Sequence, residues 1–371
     1  MEPRPLIFDL DPTTLGDLLA NQGMPRYRAQ QVLHWVYGRG LNDPSAMTNI
    51  DRPGRECLAK VLRFSSGQTV RHQVASDGVQ KLLVQWDADE GPGPALGEPD
   101  ADAAGQTECV LIPAGARRTA CVSSQVGCAV GCRFCASGLG GLGGNLTAGR
   151  IVEQVWLLGT LPEGGRISHV VFMGMGEPLT NFEQVIKAVR ILMSDWGPGI
   201  SGRRITISTV GLPAQIRRLA DLQLPVTLAL SLHAPNDQVR RTLIPWAQSV
   251  TVAQLIEAGR YYFKRTGREV TLEYTLLRGI NDRPEHAQEL AQVARSLRSN
   301  VNLIRYNEVG GLEFRRPRDR DVHVFEEILR EAGVNTHIRA SRGRDIDAAC
   351  GQLRREVHGQ RSGDRDTTPV W

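Results

Sequence analysis

The chain is predicted to be an α/β protein. Its main body is read as an open six-stranded (β/α)6 partial TIM barrel, with a small N-terminal helical accessory domain and a β extension before it. Three observations carry this reading. From residue 118 onward, short apolar or β-branched runs alternate six times with longer amphipathic ones. Six such units exceed a mononucleotide-binding half and fall short of the eight that close a barrel. The length of 371 residues is more than one average domain needs, so a smaller unit beside the barrel is expected.

In chain order, residues 1–75 are read as the helical accessory domain. Thr13 to Asn21 is a short amphipathic segment. Pro25 stands where a helix can begin, ahead of Tyr27, Arg28, Gln31, His34, Trp35 and Tyr37, with Gly38 and Gly40 at the exit. The aromatics recur at three- and four-residue spacing, which assigns Trp35 to a small core. A third helix is expected over Arg55 to Leu62. Residues 76–117 form the β extension, with strands at Lys81 to Trp86 and Glu108 to Ile112, after a first strand at Val70 to Val74. Between the last two lies GPGPALGEPDADAAG, nearly free of large apolar groups, which is expected to be a disordered acidic insertion.

Residues 118–354 are the barrel. Its strands are expected at Thr119 to Ser123, His169 to Met175, Arg204 to Val210, Pro225 to Leu232, Glu269 to Leu277 and Val301 to Tyr306. The helices follow at Ala148 to Leu158, Phe182 to Trp196, Pro213 to Leu222, Val252 to Arg265, Glu285 to Leu297 and Val322 to Ala332. Thr147, Asn181, Thr251 and Asp282 stand near their starts as candidate caps. The polar stretch 355–371 is read as a mobile tail.

Composition, at 41% hydrophobic and 23% charged residues, suits a globular protein. The apolar runs are too short to span a bilayer and no secretory signal is visible, so the reading is cytoplasmic, without a membrane partner. Four of the seven cysteines crowd into Cys121 to Cys135, which does not resemble a secreted disulfide framework. Asp87, Asp89, Glu90, Glu98, Asp100 and Asp102 fall in a stretch without a basic residue. Leaving these six out takes the formal charge from +4 to +10, a balance that favours a polyanionic partner.

The stretch CVSSQVGCAVGCRFC carries the chemistry. Cys128, Cys132 and Cys135 are spaced C-x3-C-x2-C, with Gly127 and Gly131 letting a short loop fold back. A four-iron four-sulfur (4Fe-4S) cluster held by three cysteines keeps one iron open to a ligand. A structural zinc site with Cys121 as fourth ligand is the alternative. In partial barrels the chemistry lies at the carboxyl ends of the strands, and this loop follows the first strand. The other strand ends offer Gly176 and Glu177, then Ser208, then Ser231, Leu232 and His233, and finally Asn307, as candidates for binding a ribose and a methionine moiety.

CVSSQVGC with its two following cysteines, FMGMGEPL, LSLHAPND and RGRDIDAACGQL together resemble the radical S-adenosylmethionine (SAM) RNA adenine methyltransferases. These include the dual-specificity 23S rRNA and tRNA adenine-C2 enzymes and their adenine-C8 relatives. YRAQQVLHWVY resembles the accessory domain of that family, so the likeness covers nearly the whole chain. It implies a radical SAM core, a 4Fe-4S cluster, two SAM molecules per turnover, an electron donor, an RNA partner and a monomer. It also implies residue roles. Cys350 accepts a methyl group from one SAM, and a 5'-deoxyadenosyl radical from a second SAM removes a hydrogen from that methyl. The carbon radical adds to adenine, Glu108 takes the ring proton, and Cys121 resolves the thioether, leaving a disulfide. The chemical need is that carbon 2 of adenine is electrophilic, so a thiolate must take the methyl first.

The chain departs from the family where an aromatic and an arginine usually follow the cluster, having Gly141, Leu142, Gly143 and Gly144 instead. Arg305 and Glu308 flank Tyr306 and Asn307 where the family often has I-P-x-N. The next loop is basic at Arg315, Arg316, Arg318 and Arg320, which suggests that phosphate-binding charge is relocated there. A divergent radical-SAM paralogue with another substrate and a zinc-bearing RNA-binding protein are the competing readings.

Overall fold

A computed structural model describes residues 4–87 and 105–353. The anticipated insertion, apart from its edges, and the tail 355–371 lie outside the described residues.

The N-terminal helices form as the sequence requires, with boundaries shifted by a few residues. α1 (Pro12–Ala20) starts behind Asp11, whose carboxylate accepts from Thr14 N at 2.8 Å. α2 (Arg28–Leu33) runs into a π-helical turn at His34–Gly38, and α3 (Arg52–Val61) follows. Trp35 is buried, and its indole N–H donates to Asn49 Oδ1 at 2.6 Å. The expected core role is therefore its role.

β1 (Gly67–Val74), β2 (Gln80–Trp86) and β3 (Gln106–Ala114) form an antiparallel ribbon. It continues through β4 (Arg117–Cys121), antiparallel to β3. β5 (Gln125–Gly127) and β6 (Leu142–Asn145) then make a small separate hairpin whose ends enclose the cysteine loop.

The barrel units follow. α4 (Ala148–Gly159) leads to β7 (His169–Phe172), α5 (Phe182–Met193) to β8 (Ile205–Thr209) and α6 (Pro213–Asp221) to β9 (Thr227–Ser231). After α7 (Asp237–Leu243) and α8 (Val252–Thr266) come β10 (Val270–Leu276), α9 (Pro284–Arg295) and β11 (Ser299–Arg305). α10 (Asp319–Glu331) and β12 (Thr336–Arg339) follow, and a 3-10 turn at Arg344–Ile346 leads into the segment that carries Cys350. The sheet order is β1-β2-β3-β4-β7-β8-β9-β10-β11-β12, with parallel pairing from β4 onward. The six expected strands stand in sequence order, and β12 adds a seventh parallel strand at an open edge.

β10 is buried at every position, as a parallel strand covered on both faces must be. Thr147 caps α4, and Thr251 forms a capping box with Gln254 at α8. Asn181 and Asp282 do not cap. Asn181 donates to the carbonyls of Ser124 and Leu146, and Asp282 accepts from Gly279 N. Asn181 thereby ties the β7 loop to the hairpin carrying the cysteines.

The accessory helices share a continuous apolar core with the barrel. Phe8 meets Trp156 of α4 at 5.7 Å between ring centroids, and Asp9 accepts from Gly149 N at 2.9 Å in the first turn of α4. A carboxylate suits the positive end of a helix. Glu153 of α4 accepts from the Ser65 hydroxyl and from the backbone N–H and hydroxyl of Ser66, fixing the entry into β1.

Candidate active site

The cysteine loop is shaped by backbone that side chains would disturb. Gly127 has φ +73°, and a Cβ there would drive into the Gly141 carbonyl. That carbonyl instead accepts from Cys128 N at 2.9 Å. Gly131 also sits at positive φ, and Cys135 N donates to Cys132 O at 3.0 Å. The result presents Cys128, Cys132 and Cys135 to one cavity. Burial pushes the Cys128 thiol up to about 12, and the Cys132 and Cys135 thiols also upward; Cys135 adds to the rise at Cys128, Cys135 and Cys128 add to it at Cys132, and Cys350 adds to it at Cys135. Three desolvated thiols gathered this way form a poor resting arrangement alone and a good donor set for iron, so the residues fit a 4Fe-4S cluster.

The cavity measures about 930 Å³ including its mouth and is walled by the carboxyl ends of the strands. Gly176, at φ +102°, lets the loop after β7 close on Gln125, whose Cβ would lie 2.6 Å from an added side chain. Glu177 is buried; its two oxygens accept from Leu179 N at 3.0 Å and Val210 N at 2.8 Å, while burial raises its carboxyl above the usual range. Ser208 and Ser231 face each other with hydroxyls 3.1 Å apart. His233, at φ +56°, is held neutral by burial, which brings it down to about 3. Its Nδ1 accepts from Thr275 N at 3.1 Å, leaving the other ring nitrogen as a donor. Asn307 Nδ2 donates to Cys350 O at 3.3 Å, while its Oδ1 is buried without a partner. An orphaned buried acceptor on a cavity wall is what a ligand donor would satisfy. Leu232 stands apart from this set. Its side chain lies in the apolar core, and its carbonyl accepts from Arg240 Nε at 3.2 Å.

Cys350 lines the same cavity, on a segment clamped to the cysteine loop by Ala136 N donating to Gly351 O at 2.8 Å. Cys121, at the end of β4, packs with Val110, Val171 and Met175, in a different apolar cluster from the three loop cysteines. Burial pushes its thiol up to about 12, and the charge of Cys350 adds to the rise. Both thiols are free. Cys121 thus packs apart from the three loop cysteines, against the arrangement that would make it their fourth ligand. Glu108, on β3, is buried and ion-paired with Lys81 at 2.8 Å.

Arg339, Glu273, Arg240 and Lys81 are functional candidates that sequence reasoning missed. Arg339, on β12, is shifted above its ordinary value first by Cys350 and further by Glu273 and Cys121, against the opposing effect of burial. It sits 3.8 Å from Glu273 and donates to Met173 Sδ at 3.3 Å. It is a half-buried cation on the wall of the cavity that Cys350 also lines. Arg240, on α7, is fully buried and bonded to the Val210 and Leu232 carbonyls; burial lowers it to about 10, while Cys132 pulls the other way. Nothing in the polar stretch DQVRRTL marks this arginine as buried.

The departures find structural uses. Arg305 pairs with Asp319 at 3.1 Å. Glu308 accepts from Arg316 N through its carboxylate and from Gln352 through its carbonyl, stapling the basic loop to the Cys350 segment. Arg316 turns inward to the Tyr306 carbonyl, so it is not a free phosphate contact. Arg318 and Arg320 instead join Arg278 and Arg283 around a second, open depression.

Comparisons with known proteins agree with this geometry. The family model described as "Radical SAM superfamily" matches residues 122–294, and that described as "Ribosomal RNA large subunit methyltransferase N-terminal domain" matches residues 7–63. The chain is 47% identical over 338 residues to the probable dual-specificity RNA methyltransferase RlmN of Gloeobacter violaceus, covering 90% of this chain and 91% of that one. It is 42% identical over 338 residues to the dual-specificity RNA methyltransferase RlmN of Marinobacter nauticus, covering 89% and 87%. A crystal structure of a radical SAM methyltransferase from Sphaerobacter thermophilus superposes with a TM-score of 0.87 at 43% identity, covering 95% of this chain and 99% of that one.

Proposed function

The chain belongs to the RlmN-type dual-specificity RNA methyltransferases of the radical SAM superfamily, and we propose on that premise that it methylates carbon 2 of adenosine in 23S rRNA and in tRNA. The observation that carries the reading is the meeting of Cys350 with the three loop cysteines on one cavity, with Cys121 and Arg339 beside it.

Cys128, Cys132 and Cys135 would hold the 4Fe-4S cluster, which with SAM would supply the radical chemistry when reduced by an external electron donor. Gly176 provides close backbone approach for the methionine part of SAM. Glu177 supports that wall, with lone pairs left to meet an amine. Ser208, Ser231, His233 and Asn307 offer hydrogen-bonding groups to the rest of the cofactor, and the backbone at Leu232 shapes the same rim. Cys350 takes the methyl as a thiolate, and Arg339 lines the same cavity. Glu108 would accept the proton lost from the ring, and the single electron left by radical addition would be taken by the redox group; the Cys121 thiolate would then attack the Cys350 sulfur, so that the S–S bond forms as the S–CH2 bond breaks and the released carbon keeps the electron pair and takes up a proton to become the product methyl. No helix among the described residues is long and apolar enough to cross a membrane, and we read the enzyme as cytoplasmic.

Nucleoside mass spectrometry of 23S rRNA and tRNA from cells with and without the gene tests the function. 2-Methyladenosine should disappear from both RNAs on deletion and return with the intact gene. Its persistence without the gene, or a loss confined to another nucleoside, contradicts the assignment.

RNA is expected to track the basic depression. Arg278, Arg318 and Arg320 have no ion-pair partner among the described residues, unlike Arg217, Arg265 and Arg330, which pair with carboxylates. Arg278→Glu with Arg320→Glu should weaken RNA binding and lower the slope of log affinity against log salt by about one per lost phosphate contact. SAM cleavage without RNA should not change. An unaltered salt slope places the RNA elsewhere.

A further inference from the structure

The antiparallel ribbon β1 to β3 lies outside both matched family regions, yet it carries one of the proposed catalytic groups and grips the segment that carries another. Lys81 stands at the crossing point. In the β2–β3 register it faces Val110, which puts Glu108 two residues along on the same face. Its ammonium lies 2.8 Å from Glu108 Oε1, with 7% and 8% of the two side chains exposed. The same nitrogen donates to the Asp347 carbonyl at 3.3 Å, three residues before Cys350. Asp347 itself is in the left-handed region at φ +52°, a conformation that needs outside support.

Neighbouring contacts fix the rest of this segment to the ribbon. Gly343 N donates to Asp77 Oδ2 at 3.0 Å, Ser76 N donates to Asp345 Oδ2 at 2.8 Å, and Arg342 reaches the Pro113 carbonyl at 2.9 Å. These bonds hold the segment without touching Glu108. Lys81 touches both. Its third N–H geometry also matters chemically, because a lysine ammonium has three donors and no acceptor, so it can hold a carboxylate and a carbonyl at once.

We infer that Lys81 is a positioning residue that holds the Glu108 carboxylate and the Cys350 segment in one register, so that the proton acceptor and the methyl-bearing thiol meet the same adenine. The inference rests on the function proposed above and adds a residue to it. Lys81 moves no atom of the substrate; it acts through Glu108 and through the Asp347 backbone. The step it serves is release of the RNA adduct, where Glu108 takes the ring proton. The earlier methyl transfer to Cys350 requires no proton acceptor at Glu108.

The test compares Lys81→Met, Lys81→Arg, Glu108→Gln and the double variant Lys81→Met with Glu108→Gln, each with intact Cys121, in anaerobically reconstituted full-length protein. Lys81→Met should still acquire a methyl on Cys350, seen by protein mass, but RNA turnover should fall by roughly 100-fold, in the range expected for loss of a proton acceptor. A denaturant-resistant protein–RNA band should build up. Lys81→Arg should restore at least about a tenth of normal turnover, since it retains the charge. The double variant removes both charges, which guards against misfolding from a stranded buried ion, and should be no slower than Glu108→Gln alone. Hydrogen exchange over residues 343–351 should rise in Lys81→Met and not in Lys81→Arg. Normal turnover by folded Lys81→Met, or losses that multiply in the double variant, would overturn the inference. If unaltered protein fails to methylate RNA, the function itself falls and the inference with it; if unaltered protein methylates RNA and Lys81→Met does too, only the inference falls.

Discussion

Cys121→Ala is expected to turn the enzyme into a covalent trap for its RNA. The acceptor Cys350 and the three loop cysteines are untouched by this change, so methyl transfer and addition to adenine proceed. What is missing is the thiol that resolves the bridge. Each protein molecule should therefore stop after a single round, joined to RNA through a carbon–sulfur bond at Cys350 that survives denaturant. The positions support this division of labour. Cys121 is buried at the end of β4 within electrostatic reach of Cys350, with Arg339 beside both, and it packs apart from the cluster loop. Replacing it should leave iron content near normal. Denaturing gels with labelled RNA, run beside iron analysis, decide the matter: a retained band supports the role, and normal release of methylated RNA without a band contradicts it.

Removal of any one of Cys128, Cys132 and Cys135 should have the broadest effect. A cluster held by three protein thiolates has no spare ligand, and the other buried thiol nearby packs elsewhere. Each alanine variant should lose most of its iron and sulfide, and reductive SAM cleavage should drop to background. Methylation of Cys350 and of RNA should stop as a consequence of losing the cluster. Full 5'-deoxyadenosine formation by any of the three variants would remove that residue from the ligand set.

The parts of the fold that were legible are those where one physical requirement dominates. Parallel strands covered on both faces read as near-continuous apolar or β-branched runs, so VTLEYTL, despite its Glu273, and the runs before it stood out. β12 escaped notice because it is four residues long, THIR, and exposes His337 on an edge. α7 escaped because DQVRRTL looks like a solvated turn, although Arg240 in it is fully buried. Asn181 resembled a cap because its position is right, but its amide has better partners in the Ser124 and Leu146 carbonyls.

The candidate site divides in the same way. Local spacing revealed the three loop cysteines, and the strand-end rule revealed Glu177, Ser208, Ser231 and His233. Cys121, Cys350 and Glu108 became candidates through likeness to a family, since nothing local marks a lone cysteine or carboxylate as reactive. Lys81 and Arg339 depend on strand register and on contacts between residues hundreds of positions apart, which periodicity does not contain. Leu232 shares a strand end with Ser231 and His233, but alternation turns its side chain into the core, which leaves only its backbone for the rim.

The account's central claim is that the methyl group passes through the protein on its way to RNA. Protein carrying an unlabelled methyl on Cys350, mixed with RNA and isotopically labelled SAM for a single turnover, tests it most directly. The first equivalent of methyladenosine should carry the unlabelled carbon from Cys350, with label entering only in later rounds, and protein with Cys350→Ala should yield none. Labelled methyl in the first equivalent of product would mean direct transfer from SAM and would contradict the claim.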